Sequence, residues 1–153
     1  MAVIRPPTME DYNQINDLGR WFQENSAYAK CGWSDKKSAS IIMSSMRPYS
    51  PYFFRVVEED GDIQGMFIGL VTEYFFSEKK IAMDQVVCFH PDKRKGVGKS
   101  LIKLFKEFEN WAKERNALEI CIGVTSGIAG DGYPKLIERL AYQQVGSVYK
   151  REA

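Results

Sequence analysis

At 153 residues the chain has the length of one ordinary domain, and its hydrophobic fraction of 44% and charged fraction of 27% are those of a globular protein that can close a core. A formal net charge of +1 argues against nucleic-acid binding by bulk electrostatics. No apolar run approaches the roughly 20 residues of a membrane span, and residues 1–8 lack the apolar core and cleavage site of a signal peptide.

Residues 2–5 read as a short first strand, ended by Pro6-Pro7. Thr8 with Asp11 resembles a capping box, so a helix is predicted to start there. Tyr12, Ile15, Leu18 and Phe22 then recur at helical spacing, with Trp21 beside them. Ser34 is the predicted N-cap of a second helix, residues 35–46, which Pro48 and Pro51 terminate. The period then changes. Residues 52–58 and 63–70 are β-rich runs joined by Glu59-Asp60-Gly61-Asp62, and Asp-Gly between strands signals a hairpin. Glu78-Lys79-Lys80 makes the next turn, and residues 81–89 form another strand.

The clearest helix follows Gly98. Val97, Leu101, Leu104, Phe105, Phe108, Trp111 and Ala112 share one stripe, Lys99, Lys103, Lys106 and Lys113 fall elsewhere, and Asn116 can end it. Residues 118–124 are a continuous apolar run of the kind a fully covered strand shows. A glycine-rich loop, residues 127–132, leads to a helix over 133–140, and residues 144–150 close as a last strand. The order β-α-α-β-β-β-α-β-α-β describes a single mixed α/β domain. Three cysteines without C-x-x-C spacing (Cys31, Cys88 and Cys121) and one histidine, His90, are too few ligands for a typical structural zinc site. Cys88 and Cys121 read as small buried hydrophobes. No metal is expected, and a reducing, cytoplasmic setting is the default.

The turn Lys93-Arg94-Lys95-Gly96-Val97-Gly98 lies between a strand and a helix. Unpaired N–H groups and the dipole at that helix start favour an anion, glycines admit it closely, and Lys93, Arg94, Lys95 and Lys99 add positive charge. A dinucleotide fingerprint would need a third glycine where Leu101 stands. A phosphate-binding P-loop would end in Gly98-Lys99-Ser100, but its first glycine would fall on Lys93. A solvated, lysine-flanked turn is the plain structural alternative.

With the Phe89-His90-Pro91 lead-in, Leu101-Ile102 in the following helix, and the tail Leu136-Ile137-Glu138-Arg139-Leu140-Ala141-Tyr142, the chain resembles the GNAT superfamily of acetyl-CoA-dependent N-acetyltransferases over almost its whole length. The family motif R/Q-x-x-G-x-G/A holds the coenzyme A pyrophosphate, and its first position falls on Lys93, or on Arg94 when counted from Pro91. The resemblance implies a mostly antiparallel central sheet flanked by helices, with coenzyme A along Val86, Val87, Cys88 and Phe89 and on the loop of Lys93, Arg94, Lys95, Gly96, Val97, Gly98, Lys99 and Ser100. Main-chain N–H groups near Val87 and Cys88 are the expected oxyanion donors.

Two departures matter. Ala141-Tyr142 replaces the Gly-Phe of the family's Y-x-x-L-G-F, read as a packing change, and Ile137 stands where many members carry an acidic tyrosine. Tyr133, one turn earlier on the same face, is the candidate substitute. The only carboxylate within residues 81–89 is Asp84, the candidate general base when counted from the glycines; counting from Pro91 puts Met83 there. Cys88 has no histidine placed to activate it as a nucleophile, so direct attack in a ternary complex is expected. Trp21, Phe22, Tyr28 and Trp33 are candidate acceptor-binding residues, with Glu24 and Asp35 as cation binders. The expected partner is a small-molecule or protein amine, with no nucleic acid and no membrane. Homodimerisation, common among relatives, is left open. A coenzyme A-binding scaffold without turnover is the alternative function.

Overall fold

A computed structural model describes residues 1–93, 95–128 and 130–153. Five strands form one sheet in sequence order: β1 (Val3–Arg5), β2 (Tyr52–Glu59), β3 (Asp62–Glu73), β4 (Lys80–Phe89) and β5 (Ala117–Cys121). Pairing is antiparallel from β1 through β4, and β5 lies parallel to β4. The parallel step requires a crossover, which α3 (Val97–Glu114) supplies. The other α-helices among the described residues are α1 (Tyr12–Glu24), α2 (Asp35–Ser45) and α4 (Gly132–Arg139).

Local chemistry accounts for most of the boundaries. Asp60 and Gly61 have φ of 54° and 87° between the paired residues Glu59 and Asp62, the two positive values a tight two-residue hairpin needs. The Ser34 hydroxyl accepts the Lys37 N–H at 3.2 Å, as an N-cap should. Asn116, φ 58°, turns the chain out of α3 in the left-handed conformation that asparagine tolerates. Thr8 N–H donates to Asp11 Oδ2 at 2.8 Å. Buried Asp11 also receives both Arg5 guanidinium Nη atoms at 2.8 Å, while Arg5 Nε reaches Glu58 at 2.6 Å. This clamp joins β1, the start of α1 and β2; the arginine holds the Asp11 carboxyl below its usual range.

Alternation along β2 and β3 divides the core between the two faces of the sheet. Phe53, Val57 and Phe67 pack with Leu104, Phe105, Phe108 and Trp111 of α3. Phe54, Val56, Met66 and Ile68 face Ile15, Leu18 and Phe22 of α1 and Ile42 of α2. Burying each of these large apolar side chains contributes about 1.5–3 kcal/mol, which makes this packing the main reason the helices hold. No helix among the described residues is long and apolar enough to cross a membrane.

Three expectations need correction. Residues 144–150 form no strand, and Val145, Val148 and Tyr149 are exposed. The two valines, three apart, fall on opposite faces of an extended chain and offer no single face to bury. Instead Lys150 Nζ donates to the Ala27 carbonyl at 2.9 Å. β5 is an exposed edge strand, not a covered one: it stops at Cys121, and both Leu118 and Cys121 are exposed. Ala141 is more than a packing change. It has φ 70° and donates its N–H to Glu138 O at 3.0 Å, while Tyr142 N–H reaches Ile137 O at 3.3 Å. That is a Schellman closure with alanine in the position that favours glycine.

Candidate active site

The site begins with a fork in the sheet. β5 pairs with β4 only from Lys80 to Met83, so residues 84–89 of β4 keep β3 on one side and, among the described residues, have no strand on the other. A bulge helps open the fork. Gly69 and Ile68 of β3 oppose Asp84 and Val86, which leaves Gln85 as the extra residue. The insertion shifts the alternation, so that Ala82 before it and Val87 and Phe89 after it all pack toward α3, while Val86 and Cys88 pack toward α1. At the vertex, Gly123 N–H donates to Asp84 Oδ1 at 2.8 Å, replacing a ladder bond with a side-chain bond.

Between the separating strands lies a cleft of about 910 Å³. Val86, Val87, Cys88 and Phe89 line it along β4, Val97 and Leu101 at the start of α3, and Asp84 and Tyr133 near the vertex. Two loops meet across it. Ala27 N–H donates to Ser126 O at 2.6 Å, and the Tyr28 and Thr125 hydroxyls are hydrogen-bonded to each other.

Desolvation raises the Asp84 carboxyl to about 6, although the Gly123 N–H and its own main chain pull the other way. Tyr133 belongs to α4, and its hydroxyl is the one buried side-chain polar atom among the described residues without a hydrogen-bond partner. Burial raises that phenol first, and the nearby Asp84 charge adds to it. Tyr133 borders the cleft, and a buried hydroxyl without a partner is costly to keep. Ile137 is buried in the α3-side core and can serve no proton. Cys88 is buried against the α1 side, where desolvation pushes its thiol up and keeps it protonated, a poor nucleophile.

At the opening of α3, Gly96 is the cap with φ 75°, and the Ser100 N–H closes the first turn on Gly96 O at 3.0 Å. The amides of Val97, Gly98 and Lys99 therefore have no helical acceptor. A side chain at Gly98 would meet nothing within 4 Å, so the approach to these amides is open. Lys95 and Lys99 are exposed beside them. Ser100 is buried, and its amide is already used. Lys93 is held by Glu59, whose carboxyl it lowers. Arg94, the alternative first position of the motif, lies outside the described residues.

Trp21, Phe22, Tyr28 and Trp33 all border the cleft, and Phe22 is also core. Glu24 and Asp35 do not line it, and Asp35 is paired with Arg20 Nη2 at 2.5 Å. Sequence reasoning missed the residues that hold these aromatics. Trp33 Nε1 donates to buried Asn16 at 2.9 Å, and a Cβ on Gly19 would come within 2.3 Å of the indole. Gln23 Nε2 donates to the Tyr28 and Ala29 carbonyls at 2.7 and 2.6 Å, fixing the loop. Asn16, Gly19 and Gln23 lie at helical spacing beside Ile15 and Phe22, and polar or missing side chains on an apolar stripe were the available signal.

The forked, mostly antiparallel sheet flanked by helices is the fold of the GNAT N-acetyltransferases. Among solved structures, a transcriptional regulator from Bacillus halodurans C-125 is similar at TM-score 0.73 and 18% identity, covering 100% of both chains. An aminoglycoside N-acetyltransferase in complex with CoA gives 0.72 and 13%, over 100% of this chain and 95% of that one. A ribosomal-protein-alanine N-acetyltransferase from Brucella melitensis biovar Abortus 2308 gives 0.69 and 18%, over 100% and 99%. No protein-family model and no curated protein matches the chain.

Proposed function

We propose that the protein transfers an acetyl group from acetyl-CoA to a primary amine by direct attack in a ternary complex. The observation that carries this is the pair at the fork: a desolvated carboxylate, Asp84, and a partnerless buried hydroxyl, Tyr133, beside a strand edge without a neighbour. The residues present fit coenzyme A. The free side of residues 86–89 can pair with an extended amide-bearing arm as an added strand would. The amides of Val97, Gly98 and Lys99 offer a seat for a pyrophosphate, with Lys95 and Lys99 beside it.

Acetyl-CoA supplies an activated thioester carbonyl when bound. The chain's own groups do the rest. Asp84, ionised above about pH 6 yet more basic than an ordinary aspartate, receives a proton from the attacking amine, directly or through water. Main-chain N–H groups near Val87 and Cys88 stabilise the carbonyl oxygen as charge develops on it. The amine nitrogen bonds to the acetyl carbon as the carbon–sulfur bond breaks. Tyr133 offers its hydroxyl hydrogen to the departing sulfur, so that the products are an amide and a free thiol.

The competing reading is a coenzyme A-binding scaffold without turnover, and the core position of Ile137, where many family members carry a tyrosine acid, favours it. One assay pair separates the two. Acetyl-CoA should raise the melting temperature under either reading, through linkage. Amine-dependent release of free thiol is expected only from the enzyme. Loss of the acetyl-CoA shift would end both.

A further inference from the structure

We infer that the acceptor is a monoamine carried on a planar apolar body, chemically an arylalkylamine, and that polycationic amines are disfavoured. This rests on the acetyl-transfer reading and names the substrate of the same cleft. The first argument is charge. Among the described residues that line the cleft, Asp84 is the one carboxylate and Lys37 the one amino cation. Asp84 can meet a single ammonium. A second ammonium on a polyamine or an amino sugar would find no carboxylate left in the cleft and would meet the like charge of Lys37 at its exposed rim. Asp35 cannot compensate, because Arg20 holds both its oxygens, at 2.5 and 2.6 Å, and it lies outside the cleft. Glu24 is outside as well. Aromatic faces can also attract cations. Here the Tyr28 ring already has Lys150 Nζ at 5.2 Å from its centroid.

The second argument is shape. Trp21, Tyr28 and Trp33 line the cleft, and Tyr28 and Trp33 are braced rather than loose. Trp33 uses its one donor on Asn16 inside the protein, at 2.9 Å, so what it offers a ligand is ring surface. Its indole is pressed on α1 at Gly19, where a Cβ would sit 2.3 Å away. Gln23 anchors the carbonyls of residues 28 and 29. Tyr28 is further tied to Thr125 across the cleft. An aromatic wall fixed before the ligand arrives loses little entropy on binding a flat partner.

The test compares tryptamine and phenethylamine with spermidine and kanamycin on the full-length protein. Free-thiol release gives kcat/KM, and calorimetry in the presence of coenzyme A gives binding. The arylalkylamines should exceed both polycations by at least about tenfold in kcat/KM. Trp33→Ala should raise KM for tryptamine about tenfold with a smaller change in kcat, while acetyl-CoA still shifts the melting temperature. Lys37→Glu, at an exposed position, should improve spermidine relative to tryptamine. Spermidine or kanamycin matching tryptamine in the unaltered protein, or tryptamine failing to bind, would overturn the inference while leaving acetyl transfer standing if any amine is turned over. Tryptamine binding without turnover would sustain the cleft's preference for arylalkylamines but sink the transferase reading, and with it the role of acceptor. Failure to bind coenzyme A would remove both.

Discussion

From Lys80 to Met83, β4 has a strand on each side, whereas residues 84–89 keep β3 and face the cleft on the other. The first half closes its main-chain hydrogen bonds within the sheet and buries Ala82 completely. The second half begins with a bulge, carries a carboxylate of raised pKa, and lies beside a hydroxyl without a partner. Both halves are extended chain of one strand. The difference is that one has its polar groups satisfied by strands on both sides, while the other has a strand on one side and the cleft on the other.

The largest test of that contrast is Asp84→Asn. Turnover should fall about 10²–10⁴-fold with acetyl-CoA affinity kept, since the change removes the base and leaves an oxygen for Gly123. The same variant should be more stable at neutral pH, by roughly 1–3 kcal/mol. In the folded protein Asp84 keeps its proton up to about pH 6, while in the unfolded chain it ionises near the ordinary carboxylate value of about 4. Between those values the folded state binds more protons, so Asp84's contribution to stability falls as pH rises, and the loss is complete above about 6. Denaturant melts of both proteins across pH 4–8 would show it; an Asn variant less stable than the parent at pH 7 would refute it. For the parent, kcat/KM should climb through about pH 6 as Asp84 ionises, an inflection the variant should lack.

Next in size is Gly98→Asp, which leaves the fold intact because the position faces open space, yet sets a carboxylate against the anion seat. Coenzyme A affinity should drop on the order of a hundredfold or more by calorimetry. An unchanged affinity would move the pyrophosphate elsewhere. Tyr133→Phe should lower kcat about tenfold while stability holds or rises slightly, because an unsatisfied hydroxyl leaves the interior. Wild-type turnover in that variant would assign the thiolate's proton to solvent. The smallest effect is expected at the end of α4: Ala141→Gly should add about 1 kcal/mol by relieving a left-handed alanine, with kcat changed less than in Tyr133→Phe.

Much of this architecture is written in local patterns. The Asp60-Gly61 turn, the Ser34 cap, the α3 stripe and the Asn116 stop each depend on a few neighbouring residues and their own backbone preferences. Asp84 stands out locally as the single carboxylate in its strand, but its candidacy as base, like that of Tyr133 as acid, comes from the positions that the GNAT resemblance implies. That Lys93 is claimed by Glu59 was not legible, since the two are brought together by the β2–β3 hairpin and the loop after β4. Nor was the fate of residues 144–150, because an extended run becomes a strand only where another strand's free edge is in reach.

By itself, then, the chain determined the order of its elements, the anion-favouring turn before α3 and the sparse carboxylate of the fourth strand, all consequences of spacing along one stretch. Only the folded molecule decided that β4 and β5 separate at Asp84, that Gly123 caps the carboxylate, and that Trp33 is seated over Gly19 by Asn16. Those features join segments far apart in the chain, and desolvation and hydrogen-bond geometry act on what is near in space.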